Sequence, residues 1–128
     1  TLMVVTQNPE LVAKLSKMNA DVMGSKSDPF YGASTVIIVF SDSKMGTCVE
    51  NGSLVMGNLM LAAHSEGIGS CWIHRAKEEF ESEEGKQILS DLGVTGEYEG
   101  IGHCVLGYPD EETAEAKPRK DDYVFWVE

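Results

Sequence analysis

The chain has 128 residues, 42% of them hydrophobic and 24% charged, and 21 acids against 10 bases leave a formal net charge of −11. That length and balance give one globular domain able to bury its own core, and the acidity argues against nucleic acid and anionic lipid as partners, since both would be repelled. No run of about 18 apolar residues is present, so no membrane span is expected, and the N-terminus lacks the basic start and long apolar segment of a signal peptide.

Leu2 to Thr6 is a short β-branched, apolar run that reads as a buried strand. Asn8 then offers an N-cap and Pro9 sits where a first helical turn tolerates it. Leu11, Leu15, Met18 and Val22 recur at helical spacing, which predicts a helix to about Met23 that Gly24 ends. Ser25 to Ser34 has loop composition but carries Phe30 and Tyr31, expected to cap the core from above. Thr35 to Phe40 reads as a strand buried on both faces.

After a polar turn at Ser41 to Gly46, Leu54, Val55, Leu59, Leu61, Ala62 and Ala63 make a helix apolar nearly all round, expected to be central, with its stop at Gly67. A strand at Ser70 to Ile73 follows. The acidic stretch Lys77 to Lys86 reads as a solvated face or loop, as does Asp110 to Ala116. A further helix starts near Ser82, with Ile88, Leu89 and Leu92 on one face and Gly93 as its stop. His103 to Tyr108 reads as a strand, and Asp121 to Glu128 as a last, aromatic-rich one that completes this sheet or is lent to a second subunit. The order is β-α-β-α-β-α-β-β, a mixed α and β class.

The segment from Ala62 to Arg75 passes from helix to strand through Gly67 and Gly69 and ends on Cys71, Trp72, Ile73, His74 and Arg75. Zinc is one reading, through Cys71, His74, His103 and Cys104, but residues along an extended strand point to alternate faces. A nucleophilic cysteine is another, yet no partner or local signature surrounds Cys71. The glycines leave a helix and enter a strand, the reverse of a phosphate-cradling loop. What remains is a strand whose backbone N–H and C=O groups, cleared by glycine, face the polar rim of a planar ring. Arg75 and Arg119 are the chain's two arginines, and Lys117, Arg119 and Lys120 form its tightest basic cluster. That cluster suits a phosphate dianion or, equally, a basic linker. Cys48, Cys71 and Cys104 are an odd number with no close pair, which suits free thiols in a reducing compartment and predicts a cytoplasmic protein.

Asn58 to His74 (NLMLAAHSEGIGSCWIH) resembles the helix-to-strand signature of the flavin-dependent nitroreductase family. Phe30 to Val39 resembles the preceding family strand, with Ser34 in place of the usual proline; Glu84 to Val94 and Gly102 to Pro109 resemble the later helix and strand, and Lys117 to Lys120 the basic stretch before the C-terminal segment. The resemblance runs along nearly the whole chain in order. It implies an α+β fold with a mainly antiparallel sheet packed between helices, and an intertwined homodimer whose C-terminal strand is exchanged with a partner subunit. It also implies FMN as cofactor and NAD(P)H as electron donor. Hydride passes through flavin N5 to a nitroaromatic, quinone or similar small-molecule acceptor, so that the flavin rather than a catalytic side chain carries the chemistry. The residues implied at the cofactor are Cys71, Trp72, Ile73, His74, Arg75, Lys117 and Arg119, with the His74 N–H near N5 and no metal. Two departures stand out. The family's N-terminal helices, with an Arg-x-Ser motif and a Pro-Ser-x-x-Asn-x-Gln segment, have no counterpart here, so residues 1–128 read as a single domain lacking its first flavin-binding motifs. His74 also stands where many members have glycine or a small residue. A flavin-binding or partner-binding homologue without turnover is the alternative.

Overall fold

A computed structural model describes all residues, 1–128. The chain runs β1 (Leu2–Thr6), α1 (Pro9–Met23), β2 (Thr35–Asp42), α2 (Cys48–Ser65), β3 (Gly69–Ile73), α3 (Ala76–Glu81), α4 (Glu83–Asp91) and β4 (Tyr98–Gly107). The strands form one four-stranded sheet in the order β1-β2-β4-β3, and every pairing is antiparallel. Helix α2 covers one face over Val39, Met56, Ile101 and Cys104. Helices α1, α3 and α4 cover the other, around Leu15, Phe30, Ile38, Phe40, Phe80 and Val105. This is an α+β fold of three layers in which β2 and β4, buried on both faces, are the central strands and β1 and β3 are the edges.

Local chemistry sets the boundaries. The Asn8 side chain accepts from the N–H groups of Glu10 and Leu11 (3.0 and 3.1 Å) at the start of α1, and Gly24 closes that helix at φ +71°. Ser82 caps α4 through a 3.0 Å bond from the Gly85 N–H. Gly67 (φ +71°) and Gly93 (φ +75°) end α2 and α4 in the left-handed region.

Several expectations change. β1 is an edge strand with Met3 and Val5 exposed, so only alternate side chains reach the core. Phe30 is buried, whereas Tyr31 at φ +55° turns outward. β4 begins at Tyr98, five residues before His103, because Gly100 and Gly102 let Ala76 and Trp72 pack directly on the strand and lower its apolar signal. The stretch beginning at Lys77 presents the solvated face expected of it, with Lys77, Glu78, Glu81, Glu83, Glu84 and Lys86 exposed, but Lys77 to Glu81 lie on a helix not expected there, α3, held by Phe80 and the buried Glu79. Helix α2 lies on one face rather than at the centre, with Leu54 and Leu61 each 70% exposed. Residues 108–128 contain no helix or strand, so Asp121 to Glu128 adds none to this sheet. A strand exists only by pairing, and nothing within the chain pairs with it.

Candidate functional site

The residues Cys71 to Arg75 lie where β3 ends and turns into α3. β3 pairs with β4 alone, from Gly69 opposite Gly107 to Ile73 opposite His103, so its other edge is free. Gly69 sits where a Cβ would come within 3.2 Å of the Gly107 carbonyl. Trp72 is half-buried on the α2 face and lies over Gly102, where any Cβ would strike the indole. Its Nε1 is buried without a partner. Ile73 packs into the opposite core, and the side chains of Cys71 and His74 are exposed. Neither the His74 nor the Arg75 backbone N–H donates within the chain, although both flank regular elements.

Behind that turn is a buried polar cluster. Asn19 Nδ2 donates to the His74 carbonyl (2.7 Å) and to Glu79 Oε2 (2.8 Å). His103 Nε2 lies 2.6 Å from the same Glu79 oxygen, and Arg75 Nε donates to Asn19 Oδ1 at 2.9 Å. Asn19, Glu79 and His103 are almost wholly buried, and the imidazole stands 5.0 Å from the ring of Phe30. Arg75 sits at φ +76°, a conformation that costs a non-glycine residue about 1–2 kcal/mol.

The other expected residues are placed differently. Lys117 and Arg119 are exposed in the segment without helix or strand. The four zinc candidates do not converge: His103 faces Phe30 and Phe80, Cys104 faces α2, and the His103 Nε2 is taken by Glu79. All three cysteines are free thiols; burial, with Cys71 nearby, pushes the Cys104 thiol above its ordinary range. The sequence reading missed Asn19 and Glu79 as site residues. Asn19 does leave a trace, a polar residue within the apolar stripe of Leu15, Met18 and Val22. A separate open cavity of about 730 Å³ lies between α1 and the loop before β2, lined among others by Lys17, Asp28 and Phe30 and by no residue of β3.

The class defined by these features is a three-layer α+β domain presenting unpaired backbone donors at the end of an edge strand. Residues 2–108 match the sequence model of the nitroreductase family, and the chain belongs to that family. Solved structures show the same fold. A nitroreductase with bound FMN from Bacteroides fragilis superposes with a TM-score of 0.84 at 23% identity, over 99% of this chain and 75% of its own. One with bound FMN from Desulfitobacterium hafniense gives 0.80 at 22% identity, over 98% and 74%. An oxidised iodotyrosine deiodinase bound to FMN and 3-iodo-L-tyrosine gives 0.71 at 18% identity, over 98% and 75%. No curated protein matches the chain.

Proposed function

We propose that this protein is an FMN-dependent oxidoreductase whose flavin lies along the free edge of β3 at Cys71 to Arg75. The observation that carries the reading is the pair of backbone N–H groups at His74 and Arg75, which have no acceptor in the chain and lie at the end of an edge strand. A flavin ring carries acceptors around a planar rim, and fixed backbone donors on a rigid element orient such a rim without side-chain entropy. The FMN-bound relatives of the same fold support the assignment.

The chemistry supplied by the bound cofactor is acceptance of a hydride from NAD(P)H and delivery of the electrons to a small acceptor of the nitroaromatic or quinone kind. The chain's own part is to hold the ring and shield one face. Trp72 and Ile73 anchor the strand in the two cores, and the exposed His74 side chain limits the size of an acceptor approaching the end of β3. Lys117 and Arg119 supply positive charge for the phosphate when their segment docks, in a protein otherwise at −11.

The test is an FMN titration followed by addition of NADH or NADPH under anaerobic conditions. Retained flavin that bleaches on adding the nicotinamide is the expected result. Flavin that is retained but stays oxidised makes the protein a non-catalytic flavin-binding homologue, and no retained flavin removes the reading for this chain. Arg119→Ala is expected to weaken FMN binding about tenfold, the cost of one charge-assisted hydrogen bond; an unchanged dissociation constant removes Arg119 from the site.

The dimer belongs to the same proposal. Val49, Leu54 and Leu61 are exposed along α2, and Tyr123, Val124, Phe125, Trp126 and Val127 are exposed in the C-terminal segment. A second copy of the chain covers the α2 face, and the C-terminal segment of each subunit adds to a free strand edge of the other.

A further inference from the structure

Glu79, His103 and Asn19 are buried, polar and supplied by three different elements, α3, β4 and α1. Two unpartnered atoms, Glu79 Oε1 and His103 Nδ1, show that the cluster is not arranged for full satisfaction of its own groups. An apolar trio would fill the same space beside Phe30 and Phe80 with less desolvation. What the cluster does reach is a single backbone atom, the carbonyl oxygen of His74.

We infer that Asn19, Glu79 and His103 form a positioning network that fixes the peptide between His74 and Arg75 and thereby aims its N–H at the bound ligand. The chain of contacts is continuous. A proton lies between His103 Nε2 and Glu79 Oε2, whichever of the two atoms carries it, and this holds the carboxyl group in place. That same oxygen accepts from Asn19 Nδ2, which sets the amide plane of Asn19. The amide then donates to the His74 carbonyl on one side and accepts from Arg75 Nε on the other, bracketing one peptide unit.

Two consequences follow for that peptide. Arg75 is held at φ +76°, which its side chain disfavours and which the paired contacts with Asn19 maintain. Donation to the His74 carbonyl also polarises the peptide, so the N–H on its far side, that of Arg75, becomes a stronger donor. This N–H has no acceptor in the chain. The inference rests on the reading of β3 as the flavin edge only for the identity of the ligand; the aiming of the peptide is a property of the chain itself. All three side chains are buried behind the turn, so they act through the peptide and not by direct contact.

The experiment uses the full chain, first without flavin and then with FMN as probe. Asn19→Leu keeps the branching of the side chain and deletes both hydrogen bonds to the turn along with the one to Glu79; Glu79→Gln keeps the shape and removes the carboxylate. Backbone amide NMR of the flavin-free variants is expected to show the Arg75 amide proton displaced in both, more in Asn19→Leu. FMN dissociation constants are expected to rise in the same order, by about tenfold for Asn19→Leu. An Arg75 amide that stays at its wild-type position in Glu79→Gln, the variant least able to disturb the fold, overturns the network. So does an Arg75 amide that moves only together with resonances throughout the sheet, since that is loss of structure rather than of aim. A wild-type chain that retains no FMN removes the flavin reading, and the amide positions still decide the network.

Discussion

Asp28 shows how single residues shape the approach to α1. Its carboxylate accepts from Ser16 Oγ at 2.6 Å and from the N–H groups of Phe30 and Gly32 at 2.8 and 2.6 Å. The Ser16 hydroxyl above all holds the Asp28 carboxyl below its ordinary 3.8; desolvation opposes it, and the Phe30 and Gly32 N–H groups add to the lowering. A carboxyl lowered in the folded state stabilises the fold above its ordinary value, and that contribution drains as pH falls through the lowered value. Asp28→Asn is therefore expected to cost about 1 kcal/mol at pH 7, solvent screening at this exposed position keeping the figure small. The gap between variant and wild type should be full above about pH 4 and narrow as pH falls from there through the lowered value. Urea unfolding of both proteins at pH 7 and pH 3 measures it, and a gap as wide at pH 3 as at pH 7 rejects the role of the charge. The turn composition of this loop was plain in the sequence, and so was Asn8 as a cap. The direction of Phe30 and Tyr31 was not, because one backbone residue at positive φ decides which of two adjacent aromatics enters the core.

At the scale of elements, the acidic stretch after Arg75 carries the main lesson. By charge it is a solvated face or loop, and the face is there, yet it lies on α3 and the start of α4, because Phe80 and Ile88 fall inward and Glu79 finds two buried partners. Periodicity counts a carboxylate as polar and cannot register that its partners come from residues 60 and 24 positions away. The join between α3 and α4 is also unusually close. A Cβ at Gly85 would meet the Glu79 carbonyl oxygen and lie 2.6 Å from Phe80 Cα, both backbone atoms that cannot swing aside. Gly85→Ala, harmless to an isolated helix, is thus expected to destabilise the protein by about 1–3 kcal/mol through overpacking. The expected signature is a lower urea midpoint with an unchanged slope. A midpoint equal to or above wild type would show that the two helices separate freely. Because Glu79 lies at this join, Gly85→Ala should also weaken FMN retention more than an equally destabilising change in α1.

For the whole molecule, the sequence alone conveyed the family and the layering, since signatures such as Gly67-Ile68-Gly69 and the β-branched run of β2 are local. What it conveyed poorly was which apolar surfaces the chain covers by itself. A helix apolar nearly all round reads as central, and α2 instead leaves Leu54 and Leu61 at the surface while Phe125 and Trp126 are 83% and 89% exposed. Exposed large apolar side chains grouped on one helix and one segment point to interaction surfaces. Here the two surfaces complement each other in kind: a helix face without a partner and an extended aromatic segment without a sheet. The proposed homodimer would cover both at once and would also set where Lys117 and Arg119 come to rest, since they precede the aromatic segment by only a few residues. Sedimentation velocity should accordingly show a dimer. Leu61→Asp, which places a charge on the helix face and touches nothing in either core, should give a folded monomer. If the dimer brings the C-terminal cations to the flavin phosphate, that monomer loses FMN along with its partner, although residues 71–75 and the network behind them are intact. A Leu61→Asp protein that remains dimeric excludes α2 as the interface, and a monomer that keeps wild-type FMN affinity means that each subunit assembles its site from its own chain.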